Sequence, residues 1–226
     1  MGLFRNKQNA APAPAASPAP PATPAPAKID LGKRSGQISL EKGAVVTIEK
    51  SPLVTATVSW SSDTDYDIYA LVELRDGRVL TAATFGSADE KVPTPSVLNG
   101  AVRHLGDVGR GMKGRAQEKI EIRMTDEIAA VYPVAYSAQS NGSGSFRRYK
   151  VSLELSNGAG SDVTIDAKNA NNNDKIYSVA IGAIRNTADG IQVEALELYS
   201  KPGSENRPVI KAGKIVMDAG ARNLFK

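Results

Sequence analysis

The sequence contains no cysteine and a single histidine. Without thiols there is no thiolate nucleophile, no zinc–thiolate centre, no iron–sulfur cluster and no disulfide, and a reducing compartment is permitted. One histidine excludes any site assembled from several imidazoles, although His104 alone suffices for acid–base chemistry. It lies in a Gly- and Arg-rich stretch with no nucleophile beside it, so it reads as a surface or hydrogen-bonded histidine rather than a catalytic one. Aromatic residues make up 5% of the chain, too few for a base-stacking platform. No apolar run approaches the roughly 20 residues of a membrane-crossing helix. The net charge of +4 and the pI near 9.2 are spread along the chain. Such a balance favours solubility and weak attraction to anionic surfaces, and points to no specific nucleic acid.

What is present divides into a tail and a body. The segment "AAPAPAASPAPPATPAPA" from Ala10 to Ala27 holds seven of the thirteen prolines and otherwise only Ala, Ser and Thr. This composition cannot bury a core and predicts a disordered, semi-rigid polyproline-like spacer. The head ahead of it, "MGLFRNKQN", is too short and polar for a secretory signal, which needs about 7–15 apolar residues. Residues 1–28 therefore form an expected disordered head and linker, either a plain terminus or a tether to a partner protein or a membrane surface. Residues 29–220 are expected to form one domain, with 221–226 as a C-terminal tail.

The body is patterned for strands. "VTATVSW" alternates Val54, Ala56, Val58 and Trp60 against Thr55, Thr57 and Ser59, a half-buried strand. "YDIYALVEL" sets Tyr66, Ile68, Ala70, Val72 and Leu74 on one face. "KIEIRM", "YKVSLEL", "IYSVAIGAI", "IQVEALELY" and "VIKAGKIVM" each read as a further strand. Between them fall turn signals such as "RDGR", "SNGSGS", "SNGAGS", "ANNND" and "TADG". No long stretch shows helical spacing. Many short strands with Gly- and Asn-rich turns predict an all-β fold, an antiparallel two-sheet sandwich. Residues 86–118 show little strand pattern and read as a long, functional or mobile connection.

The most chemical stretch is "WSSDTDYDIYALVEL", with Asp63, Asp65 and Asp67 at every second position. An EF-hand is excluded, because its sixth position would be Ile68 instead of Gly and its twelfth Leu74 instead of Glu. On a strand, Asp65 and Asp67 share one face with Tyr69, Leu71 and Glu73. Apolar residues on both faces beyond Ile68 predict a central strand with an acidic mouth. Paired carboxylates there call for a cation or a basic side chain. Calcium suits such oxygens but wants six to eight of them, so loops must complete the shell.

The order of these features resembles the tellurium-resistance TerD-like family of bacterial stress proteins. The likeness covers most of residues 36–199. "GQISLEKG" is similar to the family's opening strand, and "TVSWSSDTDYDIYALVELRDGRV" to its tryptophan followed by a D-F-D-L-D-A-type strand and turn. "GAVRHLGDVG" is similar to its G-x-V-x-H-x-G-D-N loop, and "YSVAIGAIRN" with "GIQVEALELYS" to its late hairpin. The resemblance implies a cytoplasmic, non-enzymatic β-sandwich that binds calcium through clustered carboxylates and acts in tellurite and chemical-stress resistance alongside other proteins of that response. Carried over by position, the metal ligands are Asp65, Asp67, Asp107 and Glu118, with Asp63 peripheral.

The departures are specific. The third aspartate of the strand motif is Tyr69, the Asn of G-D-N is Val108, and a following acidic run falls on "KGRAQE", where only Glu118 keeps a carboxylate. A later acidic loop is replaced by "SAQSNGSGS". Arg103, Arg110, Lys113 and Arg115 against Asp107 leave an excess of three positive charges in residues 103–115. A loop this cationic disfavours a divalent ion and suggests basic side chains paired with Asp65 and Asp67 in its place. "GDVGRGMKGR" also invites an oxyanion cradle, but it lacks Walker spacing and a following helix, so it reads as a solvated surface loop. The expectation is a divergent stress-response module with weak or absent calcium binding. The competing one is a structural scaffold, peripheral to a membrane or bound to a protein through its proline-rich tail.

Overall fold

The computed structural model describes residues 28–61, 64–106, 114–137, 145–170 and 173–224. The proline-rich segment, Asp63, Asp107 and most of "GDVGRGMKGR" and "SAQSNGSGS" lie outside the described residues. The first strands are β1 (Ile29–Lys33), β2 (Gly36–Leu40), β3 (Ala44–Ile48), β4 (Val54–Ser61) and β5 (Asp67–Leu74). Next come β6 (Val79–Ala83), β7 (Ser96–Val97), β8 (Val102–His104), β9 (Arg115–Ile122) and β10 (Ile128–Tyr136). The remainder are β11 (Ser152–Ser156), β12 (Ser161–Asp166), β13 (Ser178–Asn186), β14 (Ile191–Tyr199), β15 (Val209–Lys211) and β16 (Lys214–Val216). No helix among the described residues is long and apolar enough to cross a membrane.

Two seven-stranded sheets face each other, as the alternating strands predict. Sheet A runs β1-β3-β14-β13-β10-β5-β6 and sheet B runs β2-β12-β11-β4-β9-β8-β7. The pairings are antiparallel except at one edge of each sheet, where β1 joins β3 and β2 joins β12 in parallel. The first two strands are thus divided between the sheets, a departure from a purely antiparallel sandwich.

The two sheets differ in how many faces they hide, and the sequence shows why. In β4 and β12 buried and half-exposed positions alternate, so Thr55, Thr57 and Ser59 face water on sheet B. In β13, "SVAIGAIRN" is buried almost throughout, as befits a strand covered on both sides. Between the sheets lie Val58, Trp60, Tyr66, Ile68, Ile120, Leu153, Ile165 and Ile181. On the outer face of sheet A a second apolar layer gathers Tyr69, Leu71, Phe85, Tyr132, Tyr136 and Ile215. Gly182 sits where a Cβ would come within 2.9 Å of Ile165 Cδ1 and 3.1 Å of the Glu194 carbonyl, so this interior crossing requires glycine.

The second layer is closed by residues 200–224, which cross the outer face as a strap. "VIKAGKIVM" is the hairpin β15–β16 rather than one strand, because Ala212 and Gly213 adopt left-handed φ values of 48° and 71°. The strap is tied down by amide bonds from Asn223 to the Glu205 carbonyl and from Leu224 to that of Gly86. Residues 86–118 also differ from expectation: they hold β7, a 3-10 turn at Leu98–Gly100, β8 and the start of β9. Tyr149 and Val151, read as strand, lie ahead of β11 on the turn that leads into it.

Burial of phenols between layers has a pH consequence. Burial pushes the Tyr132 hydroxyl up to about 12, opposed by Arg185 and reinforced by its bond to Glu73. Tyr66, Tyr69, Tyr136 and Tyr199 are also pushed up, burial being the largest cause in each. Folding therefore favours the neutral phenol, and this stabilisation is complete below pH 10 and is lost as pH rises toward and beyond 12. The urea midpoint should stay level up to about pH 9 and fall above it. Ionisation of every tyrosine near pH 10 with a native circular-dichroism spectrum would contradict the two-layer burial.

Candidate functional site

The acidic strand entry is built by packing between the sheets. Trp60, fully buried at the end of β4, donates its indole N–H to the Thr64 carbonyl at 3.0 Å. Its ring meets Tyr66 edge-on at 5.7 Å between centroids. These contacts fold the connection back so that β5 begins beside β10, with Asp67 opposite Tyr136. Asp65 is half-buried and Asp67 buried.

Strand alternation then separates the candidates. Asp67 shares its face with Tyr69 and Leu71, the outer face of sheet A, and its charge helps raise the pKa of Tyr136 after burial and Glu205. Ile68 points the other way, into the space between the sheets. Glu118 occupies an inward position of β9, between buried Ala116 and Ile120, and approaches Ile68 from that inner side. Its Oε2 accepts the Ile68 amide N–H at 2.9 Å. The pairing of β6 with β5 ends at Tyr69, so the carboxylate takes a main-chain donor where the sheet partner has stopped.

The second partner of Glu118 is His104. β8 places His104 opposite Ile120, which makes Glu118 its diagonal neighbour on the same face. His104 Nε2 lies 3.3 Å from Glu118 Oε2, and both side chains are wholly buried. Because Nδ1 accepts the Gly106 amide N–H at 3.0 Å, the ring proton belongs on Nε2, facing the carboxylate. At 3.3 Å this is a close approach and not a hydrogen bond, and Nε2 is left buried without a hydrogen-bond partner among the described residues, whereas the Ile68 amide donates to the same oxygen. His104 is therefore a core residue, the hydrogen-bonded alternative of the two expected. The alternation in "VRH", with Arg103 outward, was the signal that could have found it.

The basic residues expected to face Asp65 and Asp67 go elsewhere where they are described. Arg103 pairs with Glu121 at 2.6 Å, and Arg115 holds the Ser59 and Ser152 hydroxyls at 2.7 and 2.6 Å. Arg110 and Lys113 lie outside the described residues. Among the described residues no group of three or more His, Cys, Asp or Glu side chains is arranged to hold a metal ion. Asp67 on the outer face and Glu118 on the inner one do not converge. Asp67 and Glu118 thus do not bring their oxygens to one point, where calcium needs six to eight, and Asp63 and Asp107 lie outside the described residues.

A second polar cluster, unannounced by any sequence motif, lies under the strap. Arg207 is 5% exposed, with its guanidinium 5.1 Å from the Tyr69 ring centroid and 5.2 Å from that of Phe85. It donates to Asn223 Oδ1 at 2.7 Å and to the carbonyls of Phe85 and Gly86 at 2.9 and 3.1 Å. Beside it, buried Glu205 accepts from the Tyr136 hydroxyl at 3.0 Å and from Arg222. These bonds anchor the strap to the segment after β6 and to β10. Removing Glu118 should be costly. Glu118→Ala strands a main-chain donor and His104 in the core and should cost about 2–4 kcal/mol, whereas Glu118→Gln, which keeps an acceptor, should cost about 1 kcal/mol. Urea denaturation of both variants measures the difference, and equal costs would mean that the carboxylate bonds matter little.

No protein-family model matches the chain, and no curated protein matches it.

Proposed function

We propose that this chain is a non-enzymatic, TerD-like stress-response module for tellurite and related chemical stress, with calcium bound weakly or not at all. Its resemblance in motif order supports the family, and the two-sheet architecture agrees with it. One observation carries the calcium part: Glu118, the carboxylate retained from the acidic run, is spent on the Ile68 amide and His104. Turned inward, it is lost to a cation at the mouth of β5. Function then rests on contacts with other stress-response or tellurium-resistance proteins in the cytoplasm.

A second reading, a scaffold tethered through its tail, is favoured by one contact. Lys28, the first residue after the proline-rich segment, is clamped to Glu194 at 2.6 Å, and β1 follows at once along the edge of sheet A. The exit point of a tether is thereby fixed on the body.

Calcium titration of the full chain should give no stoichiometric micromolar binding, and Asp65→Asn should change nothing. Tight one-to-one binding abolished by Asp65→Asn would overturn the calcium part. A strain lacking the gene should grow less well on tellurite and be rescued by the full chain. Unchanged tellurite growth, with localisation lost on deleting residues 1–27, would replace the first reading by the scaffold.

A further inference from the structure

The water-facing side of sheet B is polar and open along most of its length, but at one end it becomes concave. There Arg115, Arg147, Lys150, Val151, Asp166, Ala167 and Lys168 line a cavity of about 400 Å3. Four of these seven residues are cationic and only Asp166 is acidic. Lys168 is the one cation with carboxylate neighbours, Glu41 at 3.1 Å and Asp166 at 3.5 Å. Arg115, Arg147 and Lys150 have no carboxylate partner among the described residues.

Like charges gathered without counter-charge repel one another, so the fold must hold them in place by other means. Arg115 is braced from below. Its Nε and Nη2 donate to the hydroxyls of Ser59 and Ser152, on β4 and β11, and Nη2 also reaches the Lys150 carbonyl at 3.4 Å. This leaves Nη1 unused among the described residues. Lys150 sits at a φ of 52°, a left-handed conformation that non-glycine residues adopt infrequently. The turn before it is fixed by buried Phe146, whose carbonyl accepts the Val151 amide at 3.0 Å, and by the bond from the Lys150 amide to the Arg147 carbonyl at 3.2 Å. Val151 and Ala167 are both buried and joined by an amide-to-carbonyl bond of 2.9 Å, forming an apolar floor. A floor of this kind lowers the local dielectric and strengthens attraction for an anion.

We propose that this cavity binds a small soluble ligand through a diphosphate group. A terminal phosphoryl group carries about −1.5 to −2 charges at neutral pH, so a diphosphate matches three uncompensated cations where a single carboxylate does not. Arg147 supplies a planar donor fork suited to phosphoryl oxygens, Arg115 adds its remaining Nη1, and the lysine adds a point charge. The volume falls within the range of small-ligand clefts, about 300–1,000 Å3, and the concavity favours a compact anion over a membrane plane or a nucleic-acid backbone. Of the "GDVGRGMKGR" loop considered in the sequence, Arg115 is the described residue that lines the cavity, and the site is independent of any role in tellurite resistance.

The test is calorimetric titration of the full chain with sodium pyrophosphate at physiological salt. Saturable one-to-one binding is expected, weakened at least about tenfold in an Arg147→Gln/Lys150→Gln double variant. Arg148→Gln should bind within about twofold of the wild type, since Arg148 faces Asp174 and not the cavity. Thermal melts of each variant establish that it is folded. Arg115 is left intact because it braces two strands. Orthophosphate should bind at least about tenfold more weakly than pyrophosphate. Absence of saturable pyrophosphate binding, or equal binding by the folded double variant, overturns the proposal. So does tighter, equally variant-sensitive binding to phosphatidic-acid vesicles or to duplex DNA, which would make the patch a surface for those partners.

Discussion

Sheet A is apolar on both faces, and the rest of the molecule is arranged around covering them. Sheet B covers one face with Val58, Trp60, Ile120 and Leu153. The strap covers the other through Ile215, Ile210 and Met217, packed on Tyr69, Leu71 and Tyr132. A main-chain strap brings polar groups into an apolar layer, and these must be matched. Arg207 does this at the β5–β6 end, bonding two carbonyls of the segment after β6 while lying over two aromatic rings. Tyr132 does it farther along, its single hydroxyl proton shared between Glu73 and the Gly213 carbonyl. Sheet B needs no such cover, and its polar outer face is free to develop a charged concavity at one end.

The same constraint explains the carboxylates. A β-sandwich with clustered acids at a strand mouth has to neutralise them or divide them. Here Asp67 goes to the strap side, where Tyr136 and Glu205 lie nearby, and Glu118 goes to the interlayer side. The fold has taken Glu118 as a structural acceptor for an amide that β6 leaves unpaired. A glutamate in that role has its lone pairs directed at fixed donors, which is a different task from wrapping a spherical ion.

Legibility in the sequence followed the number of wet faces. β4 and β14 are read almost to the residue from "VTATVSW" and "IQVEALELY", the latter in spite of a register slip against β13 at Glu197, whose φ is 44°. β10 carries no such signal: "IAAVYPVAY" is buried nearly throughout, so there is no alternation to see, and Pro133 argues against a central strand. The structure accommodates Pro133 where the register between β10 and β13 slips, between Val131 and Val134. β7 and β8 are too short for any period to register. At the site, the sequence offers Asp67 and Glu118 as metal ligands, but alternation within single strands does not say that they approach sheet A from opposite sides. That fact depends on which sheet each strand joins. The basic cavity was illegible for a related reason, since its residues come from three separate segments and carry no motif.

The strap also bears on how the chain is made. Sheet A gains its last pairing when β14 meets β3, and only afterwards in chain order do residues 200–224 arrive to cover Tyr69, Tyr132 and Tyr136. A nascent chain leaving the ribosome therefore displays a tyrosine-rich face until residues 200–224 emerge. During that interval the face is a natural substrate for chaperones, and stalling or premature termination near residue 200 yields a sandwich already zipped on its inner side and adhesive on its outer one.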